Sequence, residues 1–199
     1  MSAKYVKVVC RFRFEKPVSL DGQDDPFEDW EILPEENTIK IRDKTFVYDA
    51  VLTPDTTQEE AYERLGRETI NQFMNGYNAT IIAYGQSGSG KTFSMVGPDE
   101  INDQLALNYQ YIPPNIQSLF GTIPRATVQM FEMINNFISE GYEFIVTCSY
   151  VKMYMEEITC LLNLKEKLKI KEYPDGNVEV EGQQKNICKT PEVFIIINI

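Results

Sequence analysis

Eight consecutive residues, Gly85, Gln86, Ser87, Gly88, Ser89, Gly90, Lys91 and Thr92, carry glycine, lysine and a hydroxyl at the spacing G-x-x-x-x-G-K-[ST]. That pattern suits a polyphosphate. Gly85, Gly88 and Gly90 let the backbone turn tightly and bring its N–H groups up to phosphate oxygens, an approach that β-carbons obstruct. Lys91 is placed to neutralise the β and γ phosphates as the catalytic cation, and the Thr92 hydroxyl is placed to complete a Mg2+ shell. The implied ligand is therefore ATP or ADP with Mg2+. A glycine-rich surface turn that happens to end in Lys-Thr is the alternative, and the flanking sequence argues against it. Residues 80–84 (Thr-Ile-Ile-Ala-Tyr) read as a buried strand entering the loop, and residues 92–95 as the start of a helix whose N-terminal dipole favours phosphate.

Composition removes most other chemistries. The chain has no histidine, which excludes Ser-His-Asp, Cys-His and histidine-based metal catalysis. Phosphate chemistry remains, where positioning and fixed charge do most of the work. With 19 basic and 30 acidic side chains the net charge is −11, so nucleic acid is not an expected partner. Cys10, Cys148, Cys160 and Cys188 are too widely spaced for a zinc site and too few for a disulfide scaffold, and read as reduced, mostly buried thiols. No apolar run approaches the ~20 residues that span a bilayer, and residues 1–5 lack a signal-peptide core. The expectation is a cytoplasmic protein without a membrane partner. Residues 21–36 hold eight carboxylates and no Lys or Arg, and read as a solvated acidic loop without EF-hand spacing.

The elements needed to position the loop follow from periodicity. Residues 5–12 read as a first, largely buried strand, and residues 38–47 as a short strand or hairpin. Thr57 and Glu60 stand as a capping box at the start of a helix over 58–75 that stops at Gly76. Residues 97–121, with Pro98, Pro113 and Pro114, read as a long loop, and Val128, Phe131, Ile134 and Ile138 predict a helix over 126–138. Residues 142–155 read as one long strand, 156–162 as a short helix, and 168–172 with 178–181 as a hairpin across Pro174 to Asn177. Strands alternating with helices around a phosphate loop predict a three-layer α/β sheet with helices on both faces.

Several of these blocks, in this order, resemble the kinesin motor domain. Residues 6–14 (Val-Lys-Val-Val-Cys-Arg-Phe-Arg-Phe) look like the family's opening strand with its Arg-x-Arg-Pro ending. Residues 46–51, then Gln58 and Tyr62, match the next block, and residues 76–95 are very close to the family's signature around its phosphate loop. Ile123-Pro124-Arg125, residues 149–154, Ile158 and Leu161-Leu162 continue the match. The resemblance covers nearly the whole chain. It implies a three-layer P-loop NTPase with a central, mostly parallel sheet, here incomplete at the C-terminus: residues 1–199 as a partial motor domain, with the P-loop at 85–92 and a variable loop at about 97–121.

Roles follow position by position. The resemblance places Arg11 beside the adenine, sets Phe14 where the family has a proline against that base, and sets Phe93 where a residue packs on it. Stacking by either aromatic suits a purine, while a plain core role for both is the alternative. Arg13 reads as a surface or structural cation. Lys165, Lys167, Lys169 and Lys171 share one alternate face if extended, in a region that contributes microtubule contacts in the family; a solvated strand face is the alternative. The loop at 97–121 falls where kinesins carry a variable insertion beside the nucleotide site, and the expectation is that its length affects nucleotide exchange.

Two expected motifs are missing. Kinesins use an Asn-x-x-Ser-Ser-Arg-type first switch and an Asp-Leu-Ala-Gly-type second switch, whereas no serine follows Ser149 and no Asp-x-x-Gly occurs in this chain. Glu156 and Glu157 fall in the family's Asn/Asp-Glu block and are not read as a Walker B acid, and residues 192–199 resemble the start of the helix leading into the first switch. The expectation is an N-terminal portion of a motor that binds ATP but does not hydrolyse it efficiently alone, with the phosphate-loop strand lacking neighbours. A non-catalytic nucleotide- or partner-binding module and a P-loop kinase are the alternatives.

Overall fold

Residues 6–13, 30–98, 101 and 114–191 are described by the computed structural model. They fall into two units, one comprising Met1–Pro98 with Ser118–Thr122, the other Asp99–Gln117 with Ile123–Ile199.

In the first unit, β1 (Val9–Arg11) lies parallel to β5 (Ala50–Leu52), with Val9 opposite Ala50 and Arg11 opposite Leu52. All three residues of β5 are buried, whereas β1 is half-buried, less than its apolar content predicts. The Asp49 carboxylate accepts from the Val8 amide at 2.7 Å, and the Phe12 amide donates to the Leu52 carbonyl at 2.9 Å, extending the register to either side. The expected hairpin is β3 (Thr38–Ile41) and β4 (Lys44–Val47), antiparallel and joined at Arg42 and Asp43. A third strand, β2 (Trp30–Leu33), pairs with β3. Its pairing was hidden by the acidic residues around it: Glu31 faces the Lys40 ammonium at 2.9 Å, and the Trp30 ring meets Phe12 edge-on at 6.1 Å.

The capping box forms as expected. The Thr57 hydroxyl accepts from the Glu60 amide at 3.2 Å, and a Glu60 carboxylate oxygen accepts from the Thr57 amide at 2.8 Å, starting α1 (Gln58–Leu65). The helix over 58–75 is divided at Gly66 into α1 and α2 (Arg67–Met74), and the Tyr62 ring lies where a β-carbon on Gly66 would sit, so the position takes glycine. Gly76 follows at φ +89°, accepting the left-handed turn for which glycine was chosen.

Residues 80–84 depart from expectation. They form no ladder among the described residues, and Ile82 and Tyr84 are 81% and 97% exposed. A strand requires hydrogen-bonding neighbours as well as apolar residues, and none of the described segments supplies them here.

In the second unit, the long helix Thr122–Ser139 begins four residues earlier than periodicity suggests, since Pro124 falls within its first turn, where a missing N–H costs nothing. It buries Met130, Phe131 and Ile134, while Ile138 is exposed. The expected long strand over 142–155 is broken: 142–146 are outside any ladder, β6 (Thr147–Cys148) pairs with β11 (Asn186–Ile187), and β7 (Val151–Tyr154) pairs with β8 (Glu157–Cys160). The expected helix over 156–162 is therefore a strand. Met155 and Glu156, both at positive φ, make a two-residue hairpin turn, and the local turn wins over helical propensity. The hairpin of β9 (Lys169–Glu172) and β10 (Val178–Glu181) is present, and Ile158, Cys160 and Leu168 form a small core beside it. Cys148, Cys160 and Cys188 are buried free thiols.

Among the described residues the sheets are separate and of two or three strands, and β1–β5 is the one parallel pair. The central, mostly parallel sheet of a three-layer arrangement is not assembled within them. Phe14, most of the loop at 97–121, and residues 192–199 lie outside the described residues.

Candidate nucleotide site

The phosphate loop connects the unpaired segment at 80–84 to α3 (Lys91–Met95), which starts at the Lys-Thr pair as expected. Gly88 and Gly90 sit at φ +79° and +90°, a region that side chains with a β-carbon rarely adopt, so the curve of the loop requires glycine at both. A β-carbon on Gly88 would meet nothing within 4 Å, so its backbone conformation, not crowding, is what calls for glycine there.

Lys91 folds back over this curve. Its ammonium donates to the Gly85 carbonyl at 2.8 Å and to the Gln86 carbonyl at 2.7 Å, so the positive charge lies over the loop rather than in bulk solvent. Thr92 is exposed directly after it. The Ser89 amide closes the turn onto the Gln86 carbonyl at 3.2 Å. Gln86, Ser87, Gly88 and Ser89 are all exposed. Glycine backbone, one cation and one hydroxyl are thus brought together as the motif predicts, and this donor set fits a magnesium-bound polyphosphate.

Arg11 reaches the same region from β1. Its Nη1 donates to the Gln58 side-chain oxygen at 2.9 Å and to the Ser94 hydroxyl at 3.1 Å, and Nη2 to the Thr56 carbonyl at 3.5 Å. Half-burial lowers the guanidinium pKa, yet the group stays charged, and these oxygens compensate for the lost water. The guanidinium lies 5.2 Å from the centre of the Phe93 ring. Phe93 is 43% exposed, which excludes a plain core role and leaves ring surface available for stacking.

Gln58 was not singled out as a site residue. It is buried, accepts from Arg11 through one amide atom, and donates through the other to the Phe93 carbonyl at 2.8 Å, fixing the cation and the aromatic with one side chain. Its position one residue after the Thr57 cap was the available signal: the first helical turn points Gln58 at β1. Arg13, read from the sequence as a surface or structural cation, donates through Nη1 to the Gly88 carbonyl at 2.9 Å.

The four lysines do not make one face. Leu164 and Lys167 sit at positive φ, so the run is not extended, and β9 begins only at Lys169. Lys169 and Lys171 lie opposite Glu181 and Glu179, and Lys167 faces Glu157 at 4.0 Å. The Lys165 ammonium lies near the position a β-carbon on Gly182 would occupy.

The kinesin motor domain profile matches residues 15–197. The chain belongs to the kinesin motor domain family. It is 37% identical to kinesin-related protein 3 of Dictyostelium discoideum over 97% of this chain and 15% of that protein. It is 35% identical to kinesin-related protein 5 of the same organism, over 98% of this chain and 19% of that protein. The kinesin heavy chain of Strongylocentrotus purpuratus is 34% identical over 94% of this chain and 16% of its own length. The chain thus spans less than a fifth of each of these relatives. Membership in the kinesin family carries a P-loop nucleotide-binding fold, consistent with the mixed sheets and helices described here, and the family binds nucleotide with Mg2+.

Proposed function

We propose that this chain is the ATP-binding portion of a kinesin-like microtubule motor, acting in the cytoplasm on the microtubule cytoskeleton as part of a whole motor. The observation that carries this reading is the convergence of Lys91 on the loop carbonyls with the Arg11 guanidinium over the Phe93 ring, two residues further along α3. In this reading, the loop amides and Lys91 hold the β and γ phosphates, Thr92 holds Mg2+, and Arg11 with Phe93 takes the purine, with Phe14 as a further base contact. Bound Mg2+ supplies positive charge to the phosphates; the chain's own residues orient them. The three-layer arrangement belongs to the same proposal, with the segment at 80–84 as a central strand once neighbours pair with it. Lys165, Lys167, Lys169 and Lys171 are candidate tubulin contacts, acting as separate cations.

Hydrolysis requires a group that orients water and a sensor of the γ phosphate, and the two switch patterns are absent from this sequence. The alternative reading is a nucleotide- or partner-binding module without turnover. Calorimetric titration with ADP and ATP, with and without Mg2+, tests the shared premise: the chain binds both in the presence of Mg2+, and Lys91→Ala lowers affinity by about 100-fold or more. Equal binding by wild type and Lys91→Ala would remove the premise. Little or no microtubule-stimulated phosphate release is expected from this chain alone; the same measurement on a longer protein that contains these 199 residues separates the two readings, since turnover supports the motor and nucleotide binding without turnover supports the module.

A further inference from the structure

The side chain of Arg13 crosses from the end of β1 to the middle of the phosphate loop. Its Nη1 donates to the Gly88 carbonyl at 2.9 Å, and its Cδ lies 3.9 Å from the place a β-carbon on Gly90 would take. Gly88 is the loop residue whose φ of +79° sets the direction of the adjoining peptides. Every peptide plane carries its carbonyl and the next amide on opposite sides. A cation that holds the Gly88 carbonyl outward therefore turns the Ser89 N–H the other way, onto the Gln86 carbonyl at 3.2 Å, which closes the turn. Lys91 treats the Gly85 and Gln86 carbonyls in the same manner, so three loop carbonyls are held by two cations from different elements. Lys91 is needed by the phosphates themselves, whereas Arg13 stands two residues beyond the end of β1 and can keep its grip while a ligand is bound.

We propose that Arg13 is a positioning residue for the phosphate-binding loop, fixing the Gly88–Ser89 peptide and with it the closed turn that holds the loop in its curve around the β phosphate. This inference rests on the nucleotide-binding reading above and extends it to a residue that touches no part of the ligand. Arg11 and Arg13 then have separate tasks: Arg11 serves the base through Phe93, and Arg13 serves the phosphates through Gly88.

The test uses the full chain, with Mg2+–ADP and AMP as probes and variants Arg13→Gln, Arg13→Lys and Lys91→Ala. Loss of one charge-assisted hydrogen bond predicts about a tenfold weaker affinity for ADP in Arg13→Gln. Affinity for AMP, which lacks the β phosphate, changes by less than about twofold on the same grounds. Arg13→Lys, which keeps a donor and the charge, recovers most of the ADP affinity. Ligand-free melting temperature is measured alongside and stays at the wild-type value in each Arg13 variant. An ADP affinity in Arg13→Gln within about twofold of wild type overturns the proposal. So does an equal loss for ADP and AMP, or a lowered melting temperature, since either marks a general structural role. If wild type binds no ADP, or Lys91→Ala binds it as wild type does, the nucleotide-binding reading itself fails, and that outcome is separate from a failure of Arg13 alone.

Discussion

Gln58 holds the Arg11 guanidinium and the Phe93 carbonyl with a single amide, and its burial makes substitution informative. Gln58→Ala leaves the Phe93 carbonyl without its donor and Arg11 without its nearest acceptor, costing about 1–3 kcal/mol in stability by urea unfolding. The same variant loosens the Arg11–Phe93 pair, and ADP affinity falls by about five- to tenfold in a titration. Gln58→Glu keeps an acceptor for Arg11 but loses the donor to Phe93. It retains more ADP affinity than Gln58→Ala, and the opposite order would show that Phe93, not Arg11, depends on Gln58. Chemical identity at the loop was legible residue by residue, since Gly88, Gly90, Lys91 and Thr92 have few substitutes for their tasks. The tasks of Gln58 and Arg13 were not, because a hydrogen bond between residues 47 or 75 positions apart leaves no local pattern.

At the scale of the element, the start of α1 carries the clearest energetic expectation. Thr57→Ala removes the acceptor of the Glu60 amide and costs about 1 kcal/mol, read as a shift in the urea midpoint. The Glu60 carboxyl is held below its ordinary pKa, first by the Thr57 amide and then by the Thr57 hydroxyl. A depressed folded-state pKa means stability that is complete above the unfolded value of about 4.5 and is lost as pH falls through the lower, folded value. Helix content followed by circular dichroism should therefore decline with acidification in that window, and Glu60→Gln should reduce the pH dependence there. An unchanged acid profile in Glu60→Gln would assign the decline to other carboxylates. Elements with local start and stop signals, α1, the β3–β4 and β9–β10 hairpins and the long helix, were readable in this way. The segment at 156–162 was misread because two left-handed residues, Met155 and Glu156, decide it, and neither is a usual turn residue.

For the whole molecule, the unpaired apolar segments set the behaviour of the isolated chain. Ile82 and Ile145 are each 81% exposed and Tyr84 97%, all in segments without ladder partners among the described residues. Extended apolar backbone of this kind pairs with other chains, and a net charge of −11 only partly opposes it. Light scattering of the 199-residue chain should show association that grows with concentration and rises as salt screens the charge. Ile82→Lys should reduce that association without lowering the melting temperature, because the side chain it replaces is not packed. Association unaffected by Ile82→Lys would direct attention to the segment around Ile145 instead.

By itself, the sequence determined the family and the elements whose signals are local: the order of glycines, the lysine and hydroxyl that follow, and the cap at Thr57 act over a few residues. Only the tertiary structure decided that Arg11 and Phe93 share one side chain, that Arg13 grips Gly88, that the four lysines are separated, and that residues 80–84 have no partner among the described strands. The physical reason is range. A turn or a cap is satisfied by its own neighbours, whereas a strand, a buried cation or a shared amide is completed by groups that the chain brings close only when it folds.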